Sequence, residues 1–167
     1  MPRILLENVF TFFAYLIPGK FAFLLALPPD ASVVVWPSSG ICAAAIVLLG
    51  YRALPGLFFG SLFLNLHFHI TIEEMFTPLV FRFFITSSFI AIGAAIEALT
   101  VSYVIKRIIG YPNNFAYWKD IFILCIVAGI IGAIPSPTIG VGILAVFGII
   151  PWDIVPNSWW NWWIGNS

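Results

Sequence analysis

Charge is what this chain has least of. Seven of its 167 residues are Lys or Arg and seven are Asp or Glu, 8% in all, where an ordinary soluble domain carries about 25%. So few ionisable side chains cannot clothe a globule of this size in water. No basic patch offers nucleic acid a footprint. The sequence also lacks a Gly-rich phosphate loop, a nucleophile elbow and any His/Cys cluster at metal spacing, so the expectation is a protein that is not an enzyme and holds no metal or cofactor. Its two cysteines, Cys42 and Cys125, both lie inside apolar runs and read as small buried hydrophobes rather than a disulfide. The run after Arg3 contains Pro18-Gly19-Lys20 and no small-residue cleavage site, which reads as a permanent span and not a signal peptide.

Apolar surface is what the chain has in abundance. Hydrophobic residues make up 62%, and mean hydropathy is +1.07. Disorder is excluded by that content. Uncharged stretches run 32 residues over Ile121–Trp152, 21 over Ala31–Tyr51 and 20 over Ala53–Ile72. A helix needs about 20 apolar residues to cross a hydrocarbon core of roughly 30 Å. The sequence therefore predicts an all-α integral membrane bundle. Its spans are expected at Val9–Leu27, at Ser39–Gly50 completed by Val33–Ser38, and at Leu54–Ile70, Phe76–Ile105 and Ile121–Ile150. A sixth begins at Asn157 and stops after about ten residues, so the expectation is five complete spans and part of another. Helices are expected to break near Trp36-Pro37 and at Pro135-Ser136-Pro137. Such breaks expose backbone groups that hold ligands in many membrane proteins.

Alternating these spans puts Arg3, Arg52, Lys106, Arg107 and Lys119 on one side, and Asp30, Glu73, Glu74 and Asp153 on the other. By the positive-inside rule the N-terminus is cytoplasmic. Five of the seven tryptophans (Trp152, Trp159, Trp160, Trp162 and Trp163) then gather near the outer boundary. His67 and His69 stand two apart at the outer end of the third span. A metal or pH-sensing pair is one reading; alternate residues face apart on a helix, which favours plain interfacial histidines.

Charges within spans mark bundle interiors. Glu97 lies nine residues before Lys106 and Lys20 thirteen after Glu7, about 14 Å and 20 Å deep by helical rise. A Lys20–Glu97 contact is expected. Arg82, 24 residues from Lys106, is expected to snorkel at the outer boundary. Gly56, Gly60 and Ser61 form a small-residue stripe suited to close helix packing, within the chain or in a homodimer.

The run Trp36-Pro37-Ser38-Ser39-Gly40-Ile41, then Leu48-Leu49-Gly50-Tyr51-Arg52, Pro55-Gly56, Gly60-Ser61 and Asn65, resembles the signature of the MASE1 family. These are integral membrane sensory domains at the N-termini of bacterial histidine kinases and diguanylate cyclases. Gly19-Lys20, Pro28-Pro29, Glu97-Ala98 before Lys106-Arg107, and Trp159 with Trp162-Trp163-Ile164-Gly165 fall in that family's order. Three departures stand out: Leu54 where Trp is frequent, Asn166 where Asp usually follows the glycine, and fewer spans than the family domain carries. The chain resembles the N-terminal two-thirds of such a domain, with residues 1–167 forming one truncated unit.

The resemblance implies a sensory input domain of a bacterial inner membrane. It would bind a small-molecule ligand within the lipid bilayer and signal to a cytoplasmic kinase or cyclase module in cis. Geometry and resemblance together nominate Lys20, Trp36, Ser38, Ser39, Asn65, Glu97, Trp159 and Trp162 for ligand binding or signalling. The rival readings are a small-solute transporter or its substrate-binding membrane subunit, and a scaffold that recruits partners through its tryptophan-rich edge.

Overall fold

The computed structural model describes residues 2–24, 33, 35–69, 77–112 and 116–167, apart from the side chains of residues 68, 69 and 128. Helix α1 spans Pro2–Phe23 and buries Glu7, Thr11, Tyr15, Leu16, Gly19 and Ala22 along one stripe. Its opposite flank displays Leu5, Leu6, Phe10, Phe13 and Phe21. In water such a flank is an aggregation site; in hydrocarbon it is the required surface.

Helix α2, Pro37–Leu49, starts on a proline, whose missing N–H costs nothing at a first helical position. Gly50 ends it at φ +85°, returning its N–H to the Ile46 carbonyl at 3.1 Å. One 3₁₀ turn, Tyr51–Ala53, leads straight into α3, Leu54–His69. Helix α4, Leu79–Val104, widens into a π-helix over Ile105–Gly110. Helix α5, Trp118–Ile123, does the same over Leu124–Ile131, and α6, Pro135–Val146, follows. A 3₁₀ turn, Trp152–Ile154, precedes α7, Val155–Asn166. No strand occurs among the described residues.

The all-helical membrane architecture agrees with the sequence; the five full spans do not emerge. Among the described residues, three segments are long and apolar enough to cross: Pro2–Phe23, Leu79–Gly110 and Trp118–Val146. Helices α2, α3 and α7 have 13, 16 and 12 residues, or about 20, 24 and 18 Å of rise. Pro37 and Gly50 cut α2 short inside an apolar run that hydropathy alone counts as one span. Pro28, Pro29, Asp30, Glu73 and Glu74 lie outside the described residues, as does the His69 side chain, so the outer loops and the His67–His69 pair stay expectations. His67 itself stacks on Phe63 with the rings 1° from parallel.

Helix α1 packs on α2 and α3; α4 packs on α2, α3 and α6; α7 lies against α6. The small-residue stripe faces α1. A Cβ on Gly56 would overlap the Asn8 backbone, and one on Gly60 would come 2.8 Å from the Phe12 carbonyl oxygen. The stripe is thus consumed inside the chain, and the homodimer contact expected of it has no free surface to use. Asn8 completes this seam, donating to the Ile4 and Arg52 carbonyls, both at 2.9 Å, and accepting the Gly56 N–H at 2.7 Å.

One end of the bundle collects basic groups, as the charge pattern predicts. Arg3 donates to buried Glu7 at 3.0 Å, and Arg52 reaches the same carboxylate at 2.8 Å and 3.0 Å. Lys106 donates to the Ile46 carbonyl and lies 5.0 Å from the centre of the Tyr51 ring. Arg82 does not simply snorkel. Its guanidinium donates to the Phe147 carbonyl just past the end of α6, where a helix end carries partial negative charge.

Candidate functional site

Two short helices end where the bundle is deepest. Trp36, the residue before α2, donates its backbone N–H to the Gly165 carbonyl at the tip of α7 at 2.8 Å. The electropositive start of α2 therefore meets a backbone carbonyl of α7. Glu97, on α4, bridges the junction from the side. Ser39 of α2 donates its hydroxyl to one Glu97 oxygen, and Asn166 of α7 donates its amide to the other at 2.7 Å. Glu97 is 4% exposed. Ser136, at the start of α6, is the next polar neighbour. Gly93, one turn before Glu97, lets α6 approach: a Cβ there would sit 3.3 Å from Ser136 Cα.

Behind this carboxylate the packing is closed by hydroxyls. Ser38 donates to the Tyr15 carbonyl at 2.7 Å, which fixes the first turn of α2 on α1. The Trp36 indole reaches the Tyr15 hydroxyl at 3.4 Å and packs edge-on against Phe23. A cavity of about 10 Å³, lined by Tyr15, Trp36, Ser39, Cys42, Glu97 and Asn166 among others, lies between them. That volume holds about one water.

On its other side Glu97 faces a much larger slot of about 570 Å³ between α2, α4 and the two π-helical segments. Ser39, Glu97 and Asn166 line both spaces. The large one falls within the usual range of ligand pockets, roughly 300–1,000 Å³. The Asn166 side-chain oxygen is buried with no hydrogen-bond partner.

Of the eight nominated residues, Trp36, Ser39 and Glu97 come together at the junction, with Ser38 anchoring it from behind. Asn65 stays one step away on α3, donating to the Ser61 carbonyl at 2.9 Å, while Ser61 neighbours the Tyr15 hydroxyl. Lys20 is not part of the site. Its side chain is exposed, and the expected ion pair with Glu97 is absent. The depths match, but Lys20 comes five residues after buried Tyr15 and so points about 140° around α1 from it.

Trp159 and Trp162 dock α7 rather than line the cavity. Trp159 donates to the Thr138 hydroxyl at 3.1 Å, and a Cβ on Gly140 would collide with the Trp162 ring that fills its notch. Trp163 completes the docking. Its indole donates to the Ile130 carbonyl at 2.9 Å, an acceptor that a π-helix would pair five residues on, where Pro135 has no N–H. Reading the sequence alone missed Tyr15, Ser136 and above all Asn166, whose one signal was that it stands where an acid is usual.

A helical membrane domain with two short helices meeting at a buried carboxylate is the class that these features define. A family model, MASE1, matches residues 7–167. The chain belongs to the MASE1 family, whose members are membrane-associated, non-catalytic sensory domains. No curated protein matches it, and no solved structure does.

Proposed function

We propose that residues 1–167 form one input domain of a bacterial signalling protein in the inner membrane, multi-pass with the N-terminus cytoplasmic. It binds a small molecule beside Glu97 and passes occupancy to a cytoplasmic kinase or cyclase module in cis. The observation that carries this reading is the double attachment of Glu97, to Ser39 of α2 and Asn166 of α7. A ligand competing for either carboxylate oxygen alters how the two half-helices meet. Moving such an equilibrium from 1:99 to 99:1 takes about 5.5 kcal/mol of differential binding. A few hydrogen bonds made in one arrangement and lost in the other supply much of it.

The test is signalling output from the full-length protein, as phosphotransfer or cyclic-dinucleotide synthesis, in Glu97→Gln and Ser39→Ala at normal membrane abundance. A shifted basal output in both supports the reading, and wild-type output in both overturns it. Short helices meeting beside a buried charged group are also found in solute carriers. That alternative predicts solute uptake by vesicles holding the chain alone.

A further inference from the structure

Glu97 is a buried carboxylate with no cation of its own. Ser39 and Asn166 present donors to its two oxygens, the arrangement that accommodates an ionised acceptor. Yet no ion pair to Glu97 exists among the described residues. Lys20 is turned out on α1, and Arg107 is exposed beyond the end of α4. Lys106, two turns away, is spent on the Ile46 carbonyl and the Tyr51 ring. A buried carboxylate of this kind is neutralised by a proton or by a cation brought to it.

The slot beside Glu97 supplies the place for that partner. It runs from Gly40 to Leu48 along α2 and from Glu97 to Ile105 along α4, about 12 Å by rise. Its walls are apolar, including Ala44, Val47, Val101 and Leu124. Ser39 and the Glu97 carboxylate stand at one end. An acceptor at the deep end of a largely apolar slot selects a molecule with donors at one tip and hydrocarbon behind it.

We propose that the slot binds a small amphiphilic amine, its ammonium group against Glu97 and its apolar body lying toward the Lys106 end. This rests on the ligand-binding reading above and adds the ligand's chemical class. A protonated amine brings a positive charge and N–H donors to the carboxylate. A carboxylate of equal length meets Glu97 as a like charge and is rejected.

The probes are 1-hexylamine, 1-hexanol and hexanoate, titrated against the chain reconstituted in nanodiscs, with thermal stability as the readout. Hexylamine should raise the melting temperature saturably and hexanoate should not, with hexanol in between. Glu97→Gln should weaken hexylamine roughly tenfold or more. Ala44→Trp, which fills the slot from an exposed position on α2 without touching Glu97, should abolish saturable binding while leaving the fold intact. Equal responses to amine and carboxylate overturn the proposal, as does undiminished hexylamine binding by folded Ala44→Trp. Absence of amine binding alongside altered signalling in Glu97→Gln removes this inference and leaves the sensory reading standing.

Discussion

Asn166 and Glu97, 69 residues apart in sequence, meet through a 2.7 Å hydrogen bond that ties the last turn of α7 to the middle of α4. The amide brings a donor to the carboxylate, which Asp in its place could supply only when protonated. Asn166→Asp therefore sets two carboxylates in contact in a site with little water. The expected cost near neutral pH is on the order of 2 kcal/mol. It should shrink as the pH falls and one shared proton restores a donor to the pair. Thermal unfolding of both proteins across a pH series checks this, and a constant difference counts against it.

Trp163 serves an orphaned carbonyl, so its nitrogen matters more than its bulk. Trp163→Phe retains much of the ring contact and leaves the Ile130 oxygen without its indole donor. A loss of about 1–3 kcal/mol is expected. Limited proteolysis should also detect earlier release of α7. Unchanged stability and cleavage would mean that another donor reaches that carbonyl.

The glycines of the α1–α3 seam should separate cleanly from a glycine in open space. Gly60→Ala places a Cβ 2.8 Å from the Phe12 carbonyl oxygen, a clash between two backbones that costs about 1–3 kcal/mol. A Cβ on Gly40 meets nothing within 4 Å, so Gly40→Ala should be neutral or slightly stabilising. Because the stripe is buried against α1, neither substitution should alter the mass of the purified particle. Melting temperatures and light scattering test both halves of this prediction.

Glu7 distinguishes its two arginines by burial. Arg52 binds it through two contacts, while Arg3, with a side chain 81% exposed, makes one. Arg3→Ala should change stability by well under 1 kcal/mol. Arg52→Ala leaves the buried carboxylate with its weaker partner and should cost about 1–3 kcal/mol. Similar losses for the two would show that solvent, not Arg52, supports Glu7.

Much of this molecule is legible in its residues. The lipid-facing flank of α1, the break at Trp36-Pro37 and the basic end formed by Arg3, Arg52 and Lys106 follow from hydropathy, proline and charge. Those are local or one-dimensional signals. The Lys20–Glu97 pairing failed because depth along the membrane normal follows from residue counting, whereas azimuth depends on which face of α1 meets α2 and α3. Asn166 was invisible as a site residue for a related reason. Its meaning lies in a contact with Glu97, 69 residues away in sequence, and no periodicity encodes which helices meet in space. The tryptophans misled in the opposite direction, since their enrichment at one boundary suggested anchoring, while two of their rings key α7 onto α6 and a third onto the π-helical segment before it.

The single backbone link between α7 and α2 has a mechanical consequence. A continuous helix transmits a push only by moving whole, and shortening it anywhere breaks its internal ladder. Here two separate helices meet, and among the described residues one backbone hydrogen bond, Trp36 to Gly165, joins them. A displacement of about 1–2 Å, typical of signalling helices, would sever that bond and leave both halves folded. In the proposed signalling role the junction would act as an expansion joint, gathering strain from the tryptophan-keyed helix and releasing it as rigid motion of α2 against Tyr51 and Arg52.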